Sequence, residues 1–90
     1  MFVLLSDVHQ YNDLTCDVTV YKDDYGNIKV DISLRSDDKI GIVVTIPSSH
    51  ISDLRYEKNT SFGDLIDLAI RGCKQHINEI IDNLKAQGKI

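Results

Sequence analysis

The chain has no tryptophan, one proline, two cysteines and five glycines in its 90 residues. No apolar run approaches the roughly 18 residues that a membrane-spanning helix needs, so no span is predicted. The opening MFVLLSDV has no basic flank and few apolar residues, which excludes a signal peptide and leaves a cytoplasmic location as the expectation. Cys16 and Cys73 stand far apart without a Cys-x-x-Cys pair, so a structural zinc site is not expected. Both are read as small reduced core residues, with a disulfide across the core as the alternative. No glycine-rich phosphate loop occurs, and no cofactor is implied. Basic residues are also short, with 10 Lys and Arg against 14 Asp and Glu, for a net charge of −4. Phosphate backbones attract basic surfaces, so direct nucleic-acid binding is not expected. Residues 1–60 hold ten acidic and six basic groups and residues 61–90 four of each, so the acidic surplus sits in the first two-thirds.

What the chain does have is period-two patterning. Leu14, Cys16, Val18 and Val20 alternate with polar residues, as do Ile28, Val30, Ile32 and Leu34, and then Ile40, Ile42, Val44 and Ile46. Such alternation marks strands with one buried face. KDDYGN, with Gly26 and Asn27, reads as a hairpin turn, and RSDDK as a second polar turn. Strands are predicted over about 14–21, 28–35 and 40–46, with a fourth over about 2–8 and even-numbered residues facing inward.

The period then changes. Phe62, Ile66, Ala69, Cys73, Ile77, Ile80 and Leu84 recur every three or four residues, a helical stripe. Ser61 with Asp64 resembles a capping box, and Gly88 is a stop, giving a helix over about 61–87. The expected fold is α+β, a single domain made of a three- to four-stranded antiparallel meander packed on one long C-terminal helix. Pro47 ends the last strand, and the loop 47–60 contains Ile51, Leu54 and Tyr56, so part of it is expected to tuck in as a helical turn.

LLSDVHQ resembles the Asp-x-His opening of metallophosphoesterases, and GDLID their second metal motif. The resemblance would make Asp7, His9, Asp64 and Asp67 metal ligands. The later Gly-Asn-His motif is missing, the residues before GDLID are polar, and capping explains Asp64 and Asp67. Two-residue motifs recur by chance. No catalytic or metal-binding residue is therefore assigned, and a degenerate phosphoesterase fragment is only a remote alternative. Ser48, Ser49 and His50 read as turn chemistry rather than part of a triad, and His76 as a satisfied, partly buried histidine.

GIVVTIPSSHISDLRYEKNTSFGDLIDLAIRG resembles the end of a HicB-type antitoxin domain: a strand runs into Pro47, a loop follows, and a helix starts at Thr60 and Ser61 and continues through Leu65, Ile66 and Ala69. The resemblance covers about a third of the chain. The Pro-Gly-Cys loop signature of that family has no counterpart here. The same β-β-β-α order echoes double-stranded RNA-binding domains, but Asp64 and Asp67 stand where phosphate-reaching cations would be needed.

The expected function is a small acidic, non-enzymatic protein-binding domain. By analogy of type, it would be a phage or mobile-element inhibitor that presents carboxylates to the basic groove of a host nucleic-acid-handling or defence protein. An antitoxin-like binder and a small-ligand or nucleotide-binding module are the alternatives. Meander topology predicts Asp7, Asp13, Asp37 and Asp38 at one end of the sheet, and Asp23, Asp24 and Tyr25 at the other, as partner-binding groups. A helix of about 26 residues spans roughly 39 Å, against roughly 26 Å for eight-residue strands. The overhang, with Leu65, Leu68 and Ile70 as a second apolar set beside the stripe, predicts a homodimer through Ile77, Ile80, Ile81 and Leu84.

Overall fold

The computed structural model describes residues 1–52 and 61–90. Four antiparallel strands, β1 (Phe2–Tyr11), β2 (Leu14–Lys22), β3 (Ile28–Leu34) and β4 (Asp37–Ile46), pair in sequence order, and one long helix, α1 (Phe62–Ala86), covers one face. This is the α+β meander that the alternation predicts.

The pattern is obeyed most strictly at the centre. Cys16, Val18 and Val20 of β2 and Ile28, Val30, Ile32 and Leu34 of β3 are all buried, while the odd-numbered residues between them are half-buried on the open face. From α1, Leu65, Ile70, Cys73, Ile77 and Ile81 descend onto them. The free thiols of Cys16 and Cys73 lie in this core, and burial pushes both above the ordinary thiol pKa. In β4 the rule weakens. Ile46 is buried and Ile40 and Ile42 are half-buried, but Val44 is exposed at the sheet's edge.

The turns follow from local chemistry. Asn12, at φ +56°, makes the tight link between Tyr11 and Leu14. In the β2–β3 hairpin the Asp23 carboxylate accepts from the backbone N–H groups of Tyr25 and Asn27, both at 2.9 Å, and from Asn27 Nδ2 at 3.1 Å. Gly26 takes φ +83°. Ser61 caps α1 by accepting from the Asp64 N–H at 3.1 Å, as the capping pattern predicts.

Several boundaries differ from the sequence expectation. β1 runs to Tyr11 rather than to residue 8, and β4 starts at Asp37 rather than at 40. Within the loop 47–60, residues 48–52 form a helical turn with Ile51 buried, as expected; Leu54 and Tyr56 lie outside the described residues. Ten-residue strands span about 33 Å, and the 25 residues of α1 about 37 Å. The helix therefore nearly matches the two edge strands, although it outruns the seven-residue β3, about 23 Å long, by more than two turns. Its buried line is also rotated from the expected stripe. Leu65 and Ile70, expected beside that line, are buried in it, and Leu68 alone of that second set is largely exposed. Ile77 and Ile81, expected at a dimer contact, are completely buried beneath α1 and have no surface to offer a second chain; Ile80 and Leu84 are half-buried on its flank.

Candidate functional site

β1 differs from the other strands on both faces. Its helix-facing residues are odd-numbered from Leu5 onward, because Leu5, Asp7, His9 and Tyr11 stand opposite Val20, Val18, Cys16 and Leu14. Three of the four are polar, and each finds a partner on α1. Asp7 meets Lys74 Nζ at 3.8 Å, His9 Nε2 lies 2.7 Å from Asn78 Oδ1, and the Tyr11 hydroxyl donates to the Asp82 carboxylate at 2.8 and 3.0 Å. The periods make this ladder possible. Two strand residues advance about 6.6 Å and four helix residues about 6.0 Å, so positions 7, 9 and 11 stay level with 74, 78 and 82. Asp82 pushes the Tyr11 phenol above its ordinary pKa, chiefly by the hydrogen bond. A raised folded-state pKa contributes stability below the unfolded value of about 10 and loses it as the pH rises through the folded value. Asp82→Asn is thus expected to return the Tyr11 ionisation toward about 10, read by the pH dependence of its ring NMR signals.

The first half of β1 is apolar and uncovered. A bulge leaves Leu4 without a partner on β2, so Leu4 and Leu5 both turn toward the helix side while Val3 and Val8 face the open side. Phe2 is 67 % exposed, and Val3, Leu5 and Val8 more than 40 % each. β1 is also an edge strand, so one row of its backbone groups is free.

The other edge is guarded over its first half, and beyond it Val43 and Val44 are exposed. Asp38, Lys39 and Ile40 find no partner on β3, where the register jumps, and they put two charges on the edge of β4 beside Asp37; Pro47 follows its end. Charge, bulge and proline are the devices that keep sheet edges from pairing. β1 has only the Leu4 bulge and Asp7, which Lys74 engages.

The residues expected to gather as a partner-binding acid surface are dispersed. Asp13, in the β1–β2 turn, and Asp37 and Asp38, which open β4 rather than lying in a turn, are exposed at one end, as the meander requires. Asp7 is not with them, because β1 continues past it, and it faces α1 from mid-strand. At the other end Asp24 lies 3.4 Å from the terminal ammonium, Asp23 is taken up by the turn, and Tyr25 is 85 % exposed. Burial pushes Asp23 upward, but the hydrogen bonds from Asn27 and Tyr25 prevail and hold it below the ordinary carboxylate range. On the open face Arg35 binds Asp17 at 2.7 Å and lowers its pKa, chiefly through that hydrogen bond.

Of the four phosphoesterase-like residues, Asp7 and His9 are engaged by α1, and Asp64 and Asp67 lie on the first turns of that helix. Asp7 and Asp67 line a cavity of about 250 Å³, but Arg71 and Lys74 line it too and supply the positive charge. His9 is bonded to Asn78, and the Asp64 N–H to Ser61. Ser48 opens the helical segment, its N–H donating to Asn27 Oδ1 at 3.0 Å. His76 is exposed beside Glu79, not partly buried as its place near the stripe suggests. The ladder and the open edge of β1 were missed in sequence. The available signal was polar spacing, i, i+2, i+4 at Asp7, His9 and Tyr11 against i, i+4, i+8 at Lys74, Asn78 and Asp82. Comparison with family models, curated proteins and solved structures finds no match.

Proposed function

We propose that this protein is a non-catalytic protein-binding domain whose docking element is β1, which takes an extended strand of another polypeptide onto its free edge. The observation that carries this reading is the contrast between the two edges: β4 opens with Asp37, Asp38, Lys39 and a register jump and, of its large apolar residues, exposes only Val43 and Val44 beyond them, while Phe2, Val3, Leu4, Leu5 and Val8 stand exposed along β1. Edge addition draws affinity from main-chain hydrogen bonds and specificity from alternate side chains. Uncovered apolar strands otherwise aggregate, so a partner for this one also keeps the chain soluble.

A second reading keeps the inhibitor role. Asp13, Asp37 and Asp38 are exposed at one end of the sheet and would steer a basic partner, such as the phosphate-binding groove of a nucleic-acid-handling protein. The two readings separate in one experiment, purification of the tagged chain from cells that naturally express it. Leu5→Lys is expected to lose the co-purifying polypeptide, and Asp37→Lys with Asp38→Lys to retain it. The opposite pattern supports the acidic surface, and retention by both variants removes both readings.

A further inference from the structure

We infer that the strand β1 takes is β1 of a second copy, paired antiparallel about a twofold axis at Ser6, so that two sheets join into one of eight strands with both helices on the same side. The inference rests on the docking role of β1 and specifies its occupant.

The faces of β1 limit the register. Directly opposed residues in an antiparallel pair point to the same face. With Ser6 opposite Ser6, Leu5 faces Asp7 of the other copy, both on the helix side. The next residue, Val8, points to the open face, as does Val3, while Leu4 is the bulged residue that has no partner on β2 either. Val3 therefore meets Val8, and Phe2 meets His9 on the helix side. A twofold pairing opposes residues of matching faces, and leaving Leu4 unpaired is what preserves this past the bulge. The neighbouring register, centred on Asp7, opposes two like charges and is disfavoured.

Charge supports a second copy as well. Leu5 lines the 250 Å³ cavity between β1 and α1, where Lys74 engages Asp7 of its own chain and Arg71 and Asp67 complete the charged lining. The Ser6 register brings Asp7 of each copy beside Leu5 of the other, at the mouth of that cavity. Arg71 shares the cavity with Asp7 and Asp67 but has no carboxylate within 4 Å among the described residues, and the second copy's Asp7 adds one more acidic neighbour there, twice by symmetry. Area is consistent too. The exposed apolar side chains of residues 1–8 offer on the order of 500 Å² per chain over the two faces of β1, the size of the largest patch on a typical monomer and often a functional one. With the backbone, the twofold brings this to the lower range of specific interfaces.

Two measurements on the full chain test the inference. Sedimentation at about 200 µM, well above micromolar affinity, is expected to give twice 10.2 kDa. Arg71→Asp should weaken the dimer tenfold or more, and adding Asp7→Arg should restore much of it. Opposed residues in such a pair lie about 4.5–5.5 Å apart at Cα, within the range a disulfide spans. Ser6→Cys, on an exposed site, should therefore form a disulfide-linked dimer on mild oxidation, while Gln10→Cys should not; the native thiols are buried. A monomer at that concentration with no Ser6→Cys cross-link overturns the second copy as occupant. The docking role of β1 then stands if Leu5→Lys still loses a foreign polypeptide, and falls if it does not.

Discussion

Ile81→Asp is expected to unfold the chain, not merely to separate two folded copies. Ile81 is completely buried between α1 and the sheet. Truncating an isoleucine in such a place costs about 2–5 kcal/mol, and an unpaired carboxylate in the cavity adds a desolvation cost. A chain of this length has about 5–13 kcal/mol to lose. The variant should show little helical circular dichroism at 25 °C, or melt far below the parent. Ile77→Ala, equally buried, should cost about 2–5 kcal/mol in a urea titration. Leu84→Asp, on the half-buried flank, should cost about 1 kcal/mol and leave the fold intact.

Gly41→Val is expected to have the next largest effect. A Cβ at this position would lie 2.6 Å from the Ile32 carbonyl oxygen and 3.0 Å from Ser33 Cα. These are backbone atoms of β3 and cannot turn aside as a side chain would. The substitution must push β4 away just where the register resumes after Asp38, Lys39 and Ile40. Overpacking of this kind costs about 1–3 kcal/mol, and broken ladder bonds add to it. Gly72→Ala is the control. Nothing lies within 4 Å of a Cβ there, and in mid-helix alanine should stabilise the chain by about 0.5–1 kcal/mol. Thermal melts of the two variants should move in opposite directions.

The central strands and the helix could be read from the sequence because a single force shaped them. β2 and β3 are covered by α1 on one face only, so burial imposes strict alternation on Cys16 to Val20 and Ile28 to Leu34. Ser61 marks the helix start for a purely local reason, its bond to the Asp64 N–H. β1 obeys a different rule. Its helix-facing residues are satisfied by hydrogen bonds and an ion pair, so the alternation carries no apolar signal beyond Leu5, and in sequence the strand reads as ending where Asp7 and His9 begin. That shortening had two consequences. It placed Asp7 in a turn among Asp13, Asp37 and Asp38, and it made α1 look longer than every strand of its sheet. The rotation of the helix has a related cause. The flank toward β1 carries Lys74, Asn78 and Asp82, and the opposite flank carries Ile66, Ala69 and Ile80 packed beside the core. The centre of the apolar residues in sequence therefore lies to one side of the line that is buried deepest.

The edge asymmetry was not legible for a topological reason. Residues such as Phe2 and Val3 read as core in any apolar strand, and only strand order, β1 outermost beside β2, turns them into surface. The charges of Asp37, Asp38 and Lys39 have the same double aspect. In sequence they offer an acidic recognition element, and at the start of an edge strand they also keep that edge from pairing.

Hydrogen exchange of the two edges is the most direct test. The amides of Phe2–Tyr11 and Asp37–Ile46 should be followed at low and high protein concentration, and with any co-purified partner added. If β1 is the docking element, exchange within Phe2–Val8 slows by tenfold or more on association while that of the outward amides of β4 is unchanged. Slowing confined to β4 or to α1, with β1 exchanging at one rate throughout, would contradict it.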